Sequence, residues 1–167
     1  MDTNEIKKYL KKYAGLKMSV ENQLERIARA KNNTEIPAMR TSDGSQHQPG
    51  GSDRLGNSVI KWMDIKERLL PKIEANVAQM RRIEAQIDSL EDPFESEVLR
   101  LRYLDGCFEE AGEEHRCQQV PWKYVALTLY GGDDESHKQA VFRLHGKALQ
   151  SFGEVLEKYE TDNMDLR

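Results

Sequence analysis

The sequence predicts an all-α protein: a long antiparallel, coiled-coil-like helical hairpin over residues 1–91, a helix-turn-helix domain over 92–160 and a tail, 161–167. Three observations carry this. Two long stretches repeat apolar residues at alternating steps of three and four. With 38% hydrophobic and 32% charged residues, the chain is short of apolar material for one large core and suits helices with narrow seams. Between 92 and 160, proline and glycine divide the chain into three helix-length segments.

The first helix is expected over residues 3–31. Ile6, Tyr9, Tyr13, Leu16, Val20, Gln23 and Ile27 form its seam, widened by Leu10 and Leu24. Such a seam needs a partner to bury it. Residues 32–56 lose all apolar period to Asn, Ser, Gly, Pro and Gln and read as a flexible connection. The second seam runs from Asn57 to Leu90 through Met63, Leu70, Ile73, Val77, Met80, Ile83 and Ile87. Pro71 lies inside it and predicts a kink or a fresh start near Leu70. Folding the two helices back on each other buries both seams; a parallel homodimer through either helix is the competing arrangement.

Asp92-Pro93 has the chemistry of a helix start, with Glu95 and Glu97 favouring the positive end of the dipole. That helix should stop at Gly106. Residues 107–119 read as a polar, acidic insertion. VPWKYVALTLYGG is then a short helix stopped by two glycines, and the last helix starts near Asp134 or Ser136 and runs to about Tyr159. One face of that helix holds Val141, Leu144, Ala148 and Phe152, extended by Phe142 and Leu149. The other holds Ser136, Gln139, Arg143, Lys147 and Gln150.

Charge is distributed unevenly along the chain. The whole is -4, yet residues 1–31 hold eight Lys/Arg against four Asp/Glu, and residues 92–135 hold four against eleven. Residues 136–150 hold three basic side chains, Lys138, Arg143 and Lys147, and no acid. A helix face free of carboxylates after a glycine turn suits contact with a polyanion, because Arg and Gln read base edges and Lys and Arg hold phosphates.

EVLRLRYLDG, VPWKYVALTLYG and VFRLHGKAL, within residues 92–152, resemble region 4 of the sigma-70 family. The layout, a helical N-terminal half before this domain, is similar to phage-encoded late transcription regulators of the RinA and ArpU groups. The resemblance implies a helix-turn-helix in which Trp122, Val125, Ala126 and Leu129 pack the first helix. Ser136, Gln139, Arg143 and Lys147 would then sit on the recognition helix that enters the DNA major groove, and Lys138 is a further expected DNA-binding residue. Arg100 and Arg102 match the basic positions of the LRLRY helix, where a phosphate contact is implied. The expected function is DNA-binding regulation of phage or prophage genes, with double-stranded DNA and host RNA polymerase as partners. Two departures stand out: the long interval between Gly106 and Trp122, and a turn between Gly131 and Val141 that exceeds the tight form.

Two alternatives share parts of this pattern. A small terminase subunit for DNA packaging also joins helix-turn-helix to coiled coil, and would form rings. A protein-interaction module that binds polymerase or a sigma factor without touching DNA would account for the acidic stretch 92–135. No catalytic motif is present, so an enzyme is not expected, and no cofactor is expected. Cys107, His115 and Cys117 fall short of the four ligands of a structural zinc site. His137 and His145 lie toward the apolar face and read as packed histidines. No apolar run approaches the ~18–20 residues that span a bilayer, and MDTNEIKKYLKKY lacks the core of a secretory signal. A cytoplasmic location in a bacterial host, without a membrane partner, is the expectation.

Overall fold

The computed structural model describes residues 2–34, 54–105 and 119–164. Among them all regular structure is helical: α1 (Thr3–Asn32), α2 (Arg54–Asp88), α3 (Pro93–Leu99), a π-helical turn (Arg100–Leu104) continuing α3, α4 (Trp122–Tyr130) and α5 (Glu135–Met164). The all-α expectation holds, and the helix ends fall within a few residues of those read from the sequence. No described helix is long and apolar enough to cross a membrane. The proposed stop at Gly106, most of the insertion and the Cys107, His115 and Cys117 group lie outside the described residues.

The helix termini follow local chemistry. Asp92 caps α3, its side chain accepting from the Phe94 backbone N–H at 2.9 Å, with Pro93 placed where no N–H is needed. The α3 spiral then widens, and the Asp105 N–H reaches back five residues to the Arg100 carbonyl at 3.0 Å. Gly131 ends α4 in the left-handed region at φ 73°, donating to the Leu127 carbonyl at 2.9 Å. Asp134 starts α5 by accepting from the His137 N–H at 2.9 Å.

Pro71 neither breaks nor restarts the second helix: α2 continues through it. The residue is exposed, so water can satisfy the carbonyl one turn earlier that its missing N–H leaves unpaired. Replacing it with a helix former should restore that bond. Pro71→Ala is expected to stabilise the chain by about 1–3 kcal/mol, read as a higher midpoint in a helix-monitored urea titration.

The described chain divides into two compact units, and the division does not fall at residue 91. One unit gathers residues 1–18 with 78–167; the other is 19–77. The first half of α1 and the last turns of α2 join α3–α5 because their apolar residues share one core. Ile6 and Leu10 from α1, Ile83 and Ile87 from α2, Val98 and Leu99 from α3, Val125 from α4, and Val141 and Phe152 from α5 are all buried there. Within this unit α1 and α2 run in opposite directions. The Tyr9 hydroxyl donates to Gln86 at 2.8 Å and the Tyr13 hydroxyl donates to Glu84. Burial, together with the neighbouring Glu84, pushes the Tyr13 hydroxyl pKa up.

Among the described residues of the unit 19–77, Leu69 and Ile73 are the large apolar side chains that are buried. The Asn76 amide donates to the Ser19 hydroxyl at 3.2 Å. Met63 and Leu70, expected in the seam, are instead 56% and 36% exposed, and Leu24 is 50% exposed. The three-four spacing of α2 describes two stripes at once, and the buried one runs through Leu69 and Ile73. One residue is a turn of about 100° on a helix, so a face centred on Leu69 leaves Leu70 at its edge.

Candidate nucleic-acid interface

Helix α5 has two sides. Val141, His145, Ala148, Leu149 and Phe152 are buried against the core. Opposite them, Ser136, Gln139, Arg143, Lys147 and Gln150 are exposed. The buried side is turned somewhat from the sequence reading. Leu144 is half-buried, Phe142 is 45% exposed, and His145 takes a core position. His145 Nε2 lies 3.1 Å from the Tyr103 hydroxyl, and its ring meets Trp122 edge-on at 4.8 Å. Burial, with Lys7 and Arg102 adding repulsion, lowers its pKa to about 4. The imidazole is therefore neutral at neutral pH.

The basic residues singled out by sequence divide by what they already hold. Arg143 is exposed and has no ion pair among the described residues. Ser136 and Gln139 are also exposed. Lys138 is half-buried, with Glu135 at 4.0 Å. Lys147 is exposed but engaged: its Nζ is 2.7 Å from Glu95 Oε1 and 3.4 Å from Asp92 Oδ2. The hydrogen bond that it donates to Glu95 is the leading reason that its pKa is raised. Asp92, accepting from the Phe94 N–H and facing Lys147, is held below the usual carboxylate range.

Arg100 donates twice to Asp88 Oδ1, from Nε at 3.0 Å and from a terminal nitrogen at 2.6 Å, which raises its pKa. Arg102 is half-buried; it donates to the Val120 carbonyl and to Gln119 at 3.1 Å, and its guanidinium lies 4.2 Å over the Trp122 ring. Desolvation lowers its pKa. Arg102 therefore ties the start of α4 to the π-helical turn, and Arg100 ties that turn to α2. Neither arginine stands with the α5 polar face as an unengaged cation.

The turn before α5 is built around two glycines for different reasons. Gly131 supplies the positive φ. At Gly132 a Cβ would lie 2.7 Å from the His137 ring. That ring is 2.8 Å from Asp134 Oδ1 through Nδ1, and the His137 backbone and side-chain contacts lower the Asp134 pKa. The extra turn residues thus serve as a cap that sets where α5 begins.

Among the described residues no cluster of three or more His, Cys, Asp or Glu has the geometry to hold a metal. Sequence reasoning does not pick out Leu127, Tyr130 and Phe142 as exposed, nor Glu95 as the buried partner of Lys147. Glu95 is 2% exposed despite its charge, and its partner lies far along the chain, so no local spacing signals it. Comparison with known families, curated proteins and solved structures finds no match to this chain.

Proposed function

We propose that this chain binds double-stranded DNA through α5, with α4, the Gly131 turn and α5 acting as a helix-turn-helix. In this reading it regulates transcription of phage or prophage genes, with host RNA polymerase as a partner and α1 and α2 as a supporting hairpin. One observation carries the proposal. The outward face of α5, opposite the side packed into the core, presents Ser136, Gln139, Arg143 and Gln150, and no carboxylate occurs from 136 to 150. These are donors and acceptors of the kind that read base edges, on a helix whose orientation is set by buried contacts. Lys147, held by Glu95 and Asp92, is assigned to fixing α5 on α3 in place of leading the DNA contact.

Fluorescence polarisation of labelled phage promoter fragments at two salt concentrations tests this. Arg143→Ala should weaken binding about 10–100-fold, the scale of one lost base or phosphate contact. Lys147→Ala should change DNA affinity much less than Arg143→Ala. Equal binding by Arg143→Ala and the parent protein would remove α5 as the reading helix.

A second reading is favoured by the apolar exposure around the same helices: Leu127 is 50%, Tyr130 39% and Phe142 45% exposed. Such side chains suit a protein partner better than a phosphate backbone. Polymerase binding that persists with no DNA binding at either salt concentration would select it.

A further inference from the structure

We propose that a second copy of this chain docks on α2, helix against helix and antiparallel, about a two-fold axis at Leu70. This does not rest on the DNA reading, because it concerns residues 60–77 alone.

The first ground is a stripe that the unit of residues 19–77 leaves uncovered. Ile60, Met63, Glu67, Leu70, Glu74 and Val77 alternate steps of three and four, the spacing of a helix-packing seam. Ile60 is 58%, Met63 56% and Leu70 36% exposed, and Val77 is half-buried. Leu69 and Ile73, the buried large apolar residues described in this unit, face elsewhere. The described residues of this unit form two helical segments, which share one internal seam, and this stripe is a second.

The second ground is that the stripe matches itself. In an antiparallel pair centred on Leu70, residues equidistant from the axis meet. Leu70 meets its own copy, Met63 meets Val77, and Lys66 meets Glu74. Each of the last two contacts occurs twice. Lys66 and Glu74 are both exposed, and neither has an ion pair among the described residues; Lys66 Nζ lies 5.6 Å over the Trp62 ring of its own chain. The apolar centre is thus flanked by opposite charges that complement each other in this register. Within one chain the two residues stand more than two helical turns apart, too far to pair.

Sedimentation equilibrium of the full chain should give about twice the 19.3 kDa chain mass. Leu70→Lys should yield a monomer with an unchanged helical spectrum, since the residue is partly exposed in the single chain. Lys66→Glu, which sets a carboxylate against Glu74 at each of the two contacts, should raise the dimer Kd about tenfold or more. Lys66→Glu combined with Glu74→Lys should restore the parental Kd. Three results would overturn the proposal: a monomeric parent at every concentration, a dimer indifferent to Leu70→Lys, or no recovery in the charge exchange. A Met63→Cys, Val77→Cys chain, with Cys107 and Cys117 replaced by Ser, gives an independent reading. Oxidation should join 63 to 77 of the other copy, and 63-to-63 linkage would show a parallel pair instead.

Discussion

Phe152→Ala should destabilise the chain by about 3–5 kcal/mol, the largest single-residue effect expected here. The ring is fully buried. Its centroid is 6.4 Å from that of Tyr9 on α1, and the next residue, Gly153, lets the Ile6 side chain approach to where a Cβ would stand 3.0 Å away. Truncation leaves a cavity between α5 and α1, whose fixed helices collapse only in part. With small domains stable by roughly 5–15 kcal/mol, that loss should move the urea midpoint by a large fraction of its value. The informative control is Phe142→Ala. Phe142 is 45% exposed and meets the Trp122 ring edge-on at 5.1 Å, so its loss should cost under about 1.5 kcal/mol. Comparable costs at the two positions would mean that α5 is rotated from the orientation described, and the polar face with it.

Acid should expose the second large effect, at His145. Its pKa in the folded chain is about 4, below the ordinary 6.5, so between these values the unfolded chain binds more protons. The stability from keeping this imidazole neutral is fully present above about pH 6.5 and is lost as pH falls toward 4. Between pH 7 and pH 5 the loss should be roughly 1–2 kcal/mol. The cause is local: a buried ring facing Lys7 of α1 and Arg102 of the π-helical turn. Tyr103, whose hydroxyl pKa is raised by burial, is its hydrogen-bond partner among the described residues. Urea titrations of the parent and His145→Gln at the two pH values isolate the effect, since the other acid-sensitive groups are common to both. Parallel stability losses in parent and variant would show that His145 does not carry this proton linkage.

These two residues also show how far sequence reaches. Phe152 and Val141 were legible as core from helical spacing alone. His145 was legible as a packed histidine, but not as the residue that displaces Leu144 from the buried side. That choice follows from the Tyr103 hydroxyl and the Trp122 edge, which come from other helices and can satisfy an imidazole. A leucine gains nothing comparable there.

The candidate interface divides in the same way. Ser136, Gln139 and Arg143 could be placed on one face of α5 by counting residues, and all three are exposed. Counting could not reveal that Lys147 is held by Glu95 and Asp92, or that Arg100 and Arg102 are committed to Asp88, Val120, Gln119 and Trp122. Ion pairs between distant segments depend on how helices are brought together, and charge along the chain does not encode it.

What the sequence alone determined is local: the helical class, the cap at Asp92, the glycine stop at Gly131 and the polar face of α5. Each follows from periodicity or from the backbone preferences of a few neighbouring residues. What only the tertiary structure decided is selection among alternatives that local chemistry leaves equal. On α2, the stripe through Leu69 and Ile73 was buried and the one through Met63 and Leu70 left outside. On α5, one lysine was tied down and one arginine left exposed. A helix presents several faces with similar apolar content, and the partners that finally pack against it determine which face enters the core.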